Sequence, residues 1–121
     1  MTDVRHTRGR RGEELAAAHL SRLGYEILAR NHRTRWGELD LVAFDGETIV
    51  FVEVKTRRAG SGAPWDSLHE LKQSQVRRMA AAWLIGTRDR PYGARLRFDA
   101  VGVLLDREGQ LVRLDHLEAA F

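Results

Sequence analysis

The spacing of apolar residues changes along the chain, and the changes separate helices from strands. Apolar residues at helical spacing predict a first helix over residues 8–23, with Gly24 as its C-terminal stop. A second helix is predicted over residues 67–85, where Ser67 and Glu70 form a capping-box pattern at its start. The apolar stripe of this second helix indicates that one of its faces packs on a sheet.

Runs rich in β-branched and aromatic residues predict five strands. The first is expected to place Tyr25, Ile27 and Ala29 on one face, and the turn signal Asp45-Gly46 joins the second and third strands in an antiparallel hairpin. With the helices, the strands give the order αβββαβ plus a short terminal strand, which is typical of an α/β domain with a central mixed β-sheet flanked by helices. The predicted strands are residues 25–31, 37–42, 50–55, 95–105 and 110–114.

Length and composition describe a single ordinary domain. The 121 residues suit one domain, with residues 1–7 as a loose tail. A hydrophobic content of 43% and a charged content of 31% are those of a soluble globular protein, and the absence of cysteine excludes disulfides and thiolate zinc sites. The N-terminus lacks the apolar run of a signal peptide, and no apolar segment approaches the roughly 20 residues that span a bilayer. We therefore expect a cytoplasmic protein with no membrane partner.

Charged side chains interrupt the central hairpin at Asp40, Glu53 and Lys55. Because side chains alternate faces along a strand, Glu53 and Lys55 project together. A two-residue connection, Asp45-Gly46, makes Glu53 the diagonal neighbour of Asp40. A four-residue connection, residues 45–48, places Asp40 directly opposite Glu53. Both connections put Asp40, Glu53 and Lys55 on one face.

Such a face has a chemical interpretation and a plain one. Cross-strand neighbours lie only ~5–8 Å apart, so two carboxylates there repel unless a positive charge lies between them. Magnesium accepts one or two carboxylates and keeps positions for water and phosphate, and the nearby Lys55 can hold or help activate an attacking water. The plain interpretation is that these side chains form only the solvated face of a half-buried sheet.

Basic residues flank the hairpin. The net charge is +3, and residues 1–35 hold eight arginines against four acids, although a modest basic excess is also common in arginine-rich chains. Before the hairpin, a compact basic loop can hold phosphate and stack on a base through its tryptophan, which could equally cover the sheet edge. After it, residues 56–65 are predicted to form a mobile loop that either closes over a phosphate strand or is a simple connector. The candidate nucleic-acid contacts are Arg30, Arg33, Arg35, Trp36, Arg57 and Arg58.

The two helices each add one charged candidate. Glu13 shares a helix face with Ala16 and Leu20, so it is expected to lean toward the packed side. The alternative is that Glu13 simply lies favourably near a helix N-terminus. Lys72 lies in the early turns of the second helix, where it can point back toward the carboxylates and contact nucleic acid.

The order of elements and the residues they carry resemble a known nuclease superfamily. The chain looks like the YraN-like bacterial family within the PD-(D/E)xK superfamily, itself similar to archaeal Holliday-junction resolvases. The resemblance covers about residues 9–105, and Leu39-Asp40 stands where the superfamily has Pro-Asp. The matching stretches are Gly12-Glu13-x-x-Ala16, Arg30-Asn31, Gly37-Glu38-Leu39-Asp40, Phe51-Val52-Glu53-Val54-Lys55-Thr56-Arg57, Lys72 and Arg97-Phe98-Asp99.

The resemblance implies a restriction-endonuclease-like core and specific roles for its residues. It implies that Asp40 and Glu53 coordinate Mg²⁺, for which Mn²⁺ can substitute, with the backbone carbonyl of Val54 completing the site. It further implies that Lys55 orients or activates the attacking water. Glu13 would reach the same ion directly or through water.

The preferred function is therefore metal-dependent hydrolysis of phosphodiester bonds in DNA, in a structure-specific manner on branched or damaged substrates. The alternative is a non-catalytic nucleic-acid-binding module on a nuclease-like fold. A purely structural role would leave the shared acidic face unexplained. The expected partner is nucleic acid, DNA before RNA, and a homodimer is a further expectation.

Overall fold

The computed structural model describes residues 4–60 and 70–121, and its elements follow the predicted order. Neither helix in these two ranges combines the length and apolar content needed to cross a membrane. The prediction αβββαβ plus a short terminal strand is confirmed. The elements are α1 (Val4–Arg22), β1 (Glu26–Thr34), β2 (Gly37–Phe44), β3 (Thr48–Arg58), α2 (Glu70–Gly86), β4 (Arg95–Leu105) and β5 (Leu111–Leu117).

The five strands form one mixed sheet in the order β1-β2-β3-β4-β5. Consecutive strands pair antiparallel except β3 and β4, which run parallel from Thr48 opposite Arg95 to Arg58 opposite Leu105. A parallel pair needs a crossover connection, and α2 lies in that connection. The prediction of a central mixed sheet flanked by helices is therefore confirmed.

The central strand β3 is apolar on both faces because each face is covered by a helix. Val50 and Val52 belong to the core that includes Ala16 and Leu20 of α1, here called the α1-side core. Ile49 and Phe51 belong to a second core with α2, the α2-side core, which includes Val76, Met79 and Trp83. A strand buried on both faces reads as a continuous apolar run, as residues 49–52 do.

The hairpin between β2 and β3 uses the longer of the two connections. Phe44 pairs with Ile49, so residues 45–48 form a four-residue turn. The Asp45 carboxylate accepts hydrogen bonds from the backbone N–H groups of Glu47 and Thr48, at 2.9 and 2.7 Å, and Gly46 has φ of +104°. These side-chain bonds fix the turn and with it the register of the two strands.

A buried carboxylate, Asp99, joins β4 to the C-terminal segment. It accepts hydrogen bonds from the Arg97 guanidinium, at 2.8 and 2.9 Å, from the His116 ring at 2.8 Å and from the Ala119 backbone N–H at 3.0 Å. Burial alone would raise the pKa of Asp99, but the hydrogen bonds from Arg97 and His116 outweigh it, so the pKa lies below its usual value. His116 in turn lies 3.1 Å from the ring of His19 on α1.

The N-terminal prediction is wrong in part. Residues 4–7, predicted as a loose tail, belong to α1, while residues 1–3 lie outside the described part of the chain. The segment contains no proline or glycine before Gly9, and arginine has good helix propensity, so nothing stops the helix from extending toward the N-terminus.

Two predictions about β1 are also wrong. The strand continues to Thr34, so Arg30, His32 and Arg33 are strand residues, and only Arg35 and Trp36 form the turn. The longer strand forms because Gly37, Glu38 and Leu39 of β2 pair with residues 32–34 of β1.

A register shift between Ile27 and Ala29 separates residues that were expected to share a face. Tyr25 and Ile27 pack on the α1-side core, whereas Leu28 and Ala29 pack on the α2-side core. Such a bulge inserts one extra residue and reverses the alternation beyond it.

The predicted loop after β3 begins later than expected. Thr56, Arg57 and Arg58 remain in the strand because β4 pairs with β3 as far as Arg58. Residues 61–65 of that predicted loop, and Ser67 of the capping box, lie outside the described residues. The last strand also runs further than predicted, to Leu117.

Candidate functional site

Asp40 lies where β2 separates from β3. The last paired residues are Leu41 and Val52, and the next position of the same register would bring Asp40 opposite Glu53. Instead, the Asp40 carboxylate accepts a hydrogen bond from the backbone N–H of Val54, at 2.8 Å. The side chain thus satisfies a backbone donor where the ladder ends, and this bond fixes the position of the carboxylate.

Glu53 faces α2 and is largely buried, with 8% of its surface exposed. It follows Ile49 and Phe51 along the face of β3 that packs on α2. Its Oε1 atom lies 3.1 Å from the Nζ atom of Lys72, which α2 contributes. Lys72, predicted to contact nucleic acid, is therefore paired with a carboxylate of the site.

Glu13 approaches from α1 and is held by a residue that the sequence did not single out for this role. Asn31 donates a hydrogen bond from Nδ2 to the Glu13 carboxylate, and the Arg10 guanidinium lies 3.8 Å from the same oxygen. Asn31 has φ of +50° in the middle of β1. Asparagine is depleted in strands but tolerates the left-handed region, so an Asn inside a predicted strand was the available signal.

The carboxylates of Glu53 and Glu13 both act electrostatically on the carboxylate of Asp40. Burial raises the pKa of Asp40 well above its usual value, and the negative charge of Glu53, and to a smaller extent that of Glu13, raises it further. The hydrogen bond from Val54 and the positive charge of Lys72 act in the opposite direction without cancelling the increase. Asp40, Glu53 and Glu13, predicted as a cluster, are thus brought within electrostatic range of one another from three separate elements.

The donor set fits magnesium in its two-carboxylate form. Within residues 4–60 and 70–121, no three His, Cys, Asp or Glu side chains come close enough together to hold a metal ion. Magnesium usually takes one or two carboxylates and keeps several waters, so Asp40 and Glu53 would be the protein ligands of such an ion and Glu13 would act through water. The ligand roles of Asp40, Glu53 and the Val54 carbonyl stay predictions.

The ammonium group of Lys55 has no partner among residues 4–60 and 70–121. Along the regular pairing of β3 with β4, Glu53 lies opposite Ala100 and Lys55 opposite Gly102, so the two side chains share a face. Lys55 is half-buried, and the described part of the chain gives its side chain neither a hydrogen bond nor an ion pair. Its ammonium group is therefore available to a ligand at that face.

The basic residues of the β1–β2 hairpin already have partners within the protein. Arg33 pairs with Glu38 at 3.6 Å, and the Arg35 guanidinium lies 4.5 Å from the centre of the Trp36 ring. Trp36 packs against the α2-side core, which agrees with its alternative role as a cover for the sheet. Arg30 is exposed on β1.

Arg57 differs from the other arginines because part of its guanidinium is buried without a partner. Its Nε atom is buried, and no acceptor for it is present in the part of the chain that the structure describes. Arg57 lies two residues beyond Lys55 on the same strand, and Arg58 ends that strand. A buried donor without an acceptor is costly and marks a position where an anion can bind.

Comparison with known proteins places the chain in a family. Residues 12–103 match the model described as "Uncharacterised protein family UPF0102". The chain belongs to the UPF0102 family. A UPF0102 protein from Pelotomaculum thermopropionicum is 45% identical over 122 residues, covering 100% of both chains. UPF0102 proteins from Nocardia farcinica and Geobacter sulfurreducens are 48% and 47% identical over 114 residues, covering 93% of this chain and 87% of theirs.

The region that defines the UPF0102 family contains the whole candidate site. The matched residues 12–103 include Glu13, Asp40, Glu53, Lys55 and Lys72, and they end inside β4. Strand β5 lies outside the match.

Proposed function

We propose that this UPF0102 chain is a metal-dependent nuclease that hydrolyses phosphodiester bonds in DNA, on a restriction-endonuclease-like core of the PD-(D/E)xK type. The observation that carries the proposal is the placement of Asp40, which is held by the Val54 N–H at 2.8 Å near the largely buried Glu53. Burial and the charge of Glu53 both raise the pKa of Asp40 there. A protein that holds two acids so close without a cation loses stability. A divalent cation removes that repulsion, so the arrangement is understandable as a binding site.

The residues of the site divide the work between them. A bound divalent cation supplies positive charge at the scissile phosphate and lowers the pKa of a water molecule. Asp40, fixed by the Val54 N–H, and Glu53 would hold that cation. Lys55, which has no partner in the described part of the chain, orients the attacking water with its ammonium group. Lys72, 3.1 Å from Glu53, neutralises that carboxylate when no cation is present.

Substrate binding is assigned to the arginines beside the site. Arg57 lies on the strand that also holds Glu53 and Lys55, and its Nε donor has no partner in the described part of the chain, so its guanidinium would bind a phosphate of the substrate beside the site. Arg33, near the end of β1, and Arg35, in the turn that follows it, extend the positive surface. Because these contacts are to phosphate, they supply affinity but no base specificity.

The decisive experiment combines cleavage with cation binding. The parent protein is tested on linear, nicked, flapped and four-way DNA and on RNA, with Mg²⁺ or Mn²⁺, while calorimetry measures Mg²⁺ uptake. Asp40→Asn should lose uptake and cleavage together while retaining nucleic-acid binding, because it removes a ligand charge at nearly constant volume. Lys55→Ala should retain uptake and lose cleavage rate by about 10²–10⁴-fold. Asp89→Asn, at an exposed position, serves as the matched control.

Two results would overturn the nuclease proposal. One is cleavage by both variants at the rate of the parent. The other is a parent protein that binds nucleic acid but neither cleaves any substrate nor takes up the ion. The second result would establish the alternative, a nucleic-acid-binding module that keeps this fold without turnover.

A further inference from the structure

Strand β5 forms one edge of the sheet, and its outer side has no neighbouring strand among the described residues. Three of its residues are large apolar side chains that are exposed to solvent: Leu111 at 41%, Val112 at 55% and Leu117 at 43%. An edge strand presents a row of unpaired backbone N–H and C=O groups, and an apolar edge favours pairing with another chain.

The sequence of β5, Leu-Val-Arg-Leu-Asp-His-Leu, is self-complementary about its centre. Arg113 and Asp115 lie on either side of the central Leu114, and leucine occupies both ends. If two copies pair antiparallel with a two-fold axis at Leu114, Arg113 of each copy lies opposite Asp115 of the other. A two-fold interface of this kind uses the same residues from both subunits, so it requires self-complementarity of this type.

We propose that two copies of the chain associate through β5, joining their five-stranded sheets edge to edge into one continuous sheet. The surface involved is distinct from the carboxylate site, because β5 and the Asp40–Glu53 pair lie on different strands of the sheet. The proposal therefore does not depend on the proposed nuclease function.

Charge complementarity favours a second copy over an unrelated strand. Within each chain, Arg113 Nε lies 2.9 Å from an Asp115 oxygen, and these side chains are 69% and 31% exposed. Directly opposite residues in an antiparallel pair have Cβ atoms about 4.5–5.5 Å apart. In the dimer, each arginine therefore has two aspartate neighbours, Asp115 of its own chain and Asp115 of the other copy.

Apolar contacts continue the core across the axis. Leu114 is half-buried and packs against the α1-side core. At the axis the two Leu114 side chains become direct neighbours, so the α1-side cores of the two copies meet there.

The expected dimer is concentration-dependent. Leu104 pairs with Arg113 and Leu105 with Leu111, so Val112 is an extra residue that bulges from β5. Because residues 116 and 117 would pair with residues 112 and 111 of the other copy, the bulge limits regular pairing about the axis to residues 113–115. An interface built on one short strand is small, and small interfaces belong to transient complexes.

The test uses charge reversal followed by mixing. Sedimentation velocity over a concentration series should show reversible dimerisation of the parent. Arg113→Asp places aspartate opposite Asp115 of the other copy, and Asp115→Arg places arginine opposite Arg113, so each variant alone should be monomeric. An equimolar mixture of the two variants should form a heterodimer, because every opposed pair then carries opposite charges. The double variant Arg113→Asp/Asp115→Arg should dimerise like the parent.

Controls separate pairing from net charge and from folding. Arg88→Asp and Asp89→Arg make the same charge changes in the exposed α2–β4 connection and should dimerise like the parent. Circular dichroism should show that the β5 variants are folded. A mixture of the two β5 variants that stays monomeric would overturn the proposal, because loss of the Arg113–Asp115 bond within each chain cannot be restored by mixing. A parent that stays monomeric at every concentration, or single variants that still dimerise, would overturn it equally.

Discussion

Replacing Gly12 by alanine tests how closely α1 must approach the sheet. A Cβ atom at Gly12 would lie 1.8 Å from Thr56 Oγ1, 2.9 Å from Thr56 Cβ and 3.0 Å from Thr56 Cγ2. Rotation of the Thr56 side chain can move Oγ1 and Cγ2 but leaves Cβ in place. Thr56 lies in β3, which pairs with β4 along its length, so its backbone cannot yield easily. The helix itself must therefore move away from the strand.

The structure also supplies a control that isolates this overlap. At Gly9, on the same helix, an added Cβ would meet nothing within 4 Å. Both substitutions gain about 1 kcal/mol from the better helix propensity of alanine. Overpacking of a tightly packed position costs about 1–3 kcal/mol. The propensity contribution cancels between the two variants, so Gly12→Ala should be less stable than Gly9→Ala by about 1–3 kcal/mol.

Urea unfolding of both variants measures this difference, provided that the dependence of the unfolding free energy on urea is the same for each. Thr56→Ala in the Gly12→Ala background should recover only part of the loss, because the Thr56 Cβ contact at 2.9 Å remains. If the nuclease proposal holds, Gly12→Ala should also weaken Mg²⁺ uptake, since Glu13 moves with the helix. Equal stability of the two alanine variants would refute the close approach of α1 to β3.

Three further outcomes are expected. Without metal, the unfolding free energy of the parent should fall relative to that of Asp40→Asn as pH rises from 3.8, the usual pKa, toward the raised pKa of Asp40, because the folded protein resists ionisation of this group. Urea unfolding at several pH values measures this difference, and an equal response of the two proteins would contradict it. Asp99→Asn should lower the unfolding free energy at neutral pH by about 1.5–3 kcal/mol. The loss should be smaller in acid, where Asp99 is itself protonated. The exposed control Asp89→Asn should change the unfolding free energy by under about 0.5 kcal/mol. Arg33→Ala/Arg35→Ala should weaken binding to all DNA sequences alike and reduce the salt dependence, and an unchanged slope in a binding titration would place the nucleic acid elsewhere.

Most of the fold could be predicted from the sequence because its signals are local. The hairpin turn at Asp45-Gly46, the strand at residues 95–105 and the αβββαβ order follow from turn chemistry and periodicity, whereas the sequence leaves the length of that turn open between two and four residues. The boundaries of β1 and β3 could not be predicted, because each strand extends as far as a neighbouring strand pairs with it. The bulge beside Leu28 has no local signal either, so the faces of β1 were assigned wrongly beyond Ile27.

Part of the candidate site could also be predicted, because some of its residues are related by local strand alternation. Strand alternation links Glu53 to Lys55, and both of the turn lengths considered put Asp40 on the same face as these two residues. The register ends at Leu41 opposite Val52, and the bond that Asp40 accepts from the Val54 N–H could not be predicted. The bond from Asn31 to Glu13 joins β1 to α1 and depends on the left-handed backbone conformation of Asn31. The spacing of apolar residues does not predict such a conformation. The pairing of Lys72 with Glu53 depends on where the crossover helix docks, which is a property of the assembled sheet.

The parallel pairing of β3 with β4 sets an order for the folding of this chain. The hairpins β1–β2 and β2–β3 close over short separations, and the bond from Val54 to Asp40 spans only 14 residues. Thr48 and Arg95, by contrast, pair only after the chain has passed through α2. Contacts between residues distant in sequence form late because loop closure costs entropy. Pulsed hydrogen exchange during refolding should therefore show amides of the β2–β3 hairpin protected before those of β4, and Asp40 would reach its place before Lys72 arrives at Glu53.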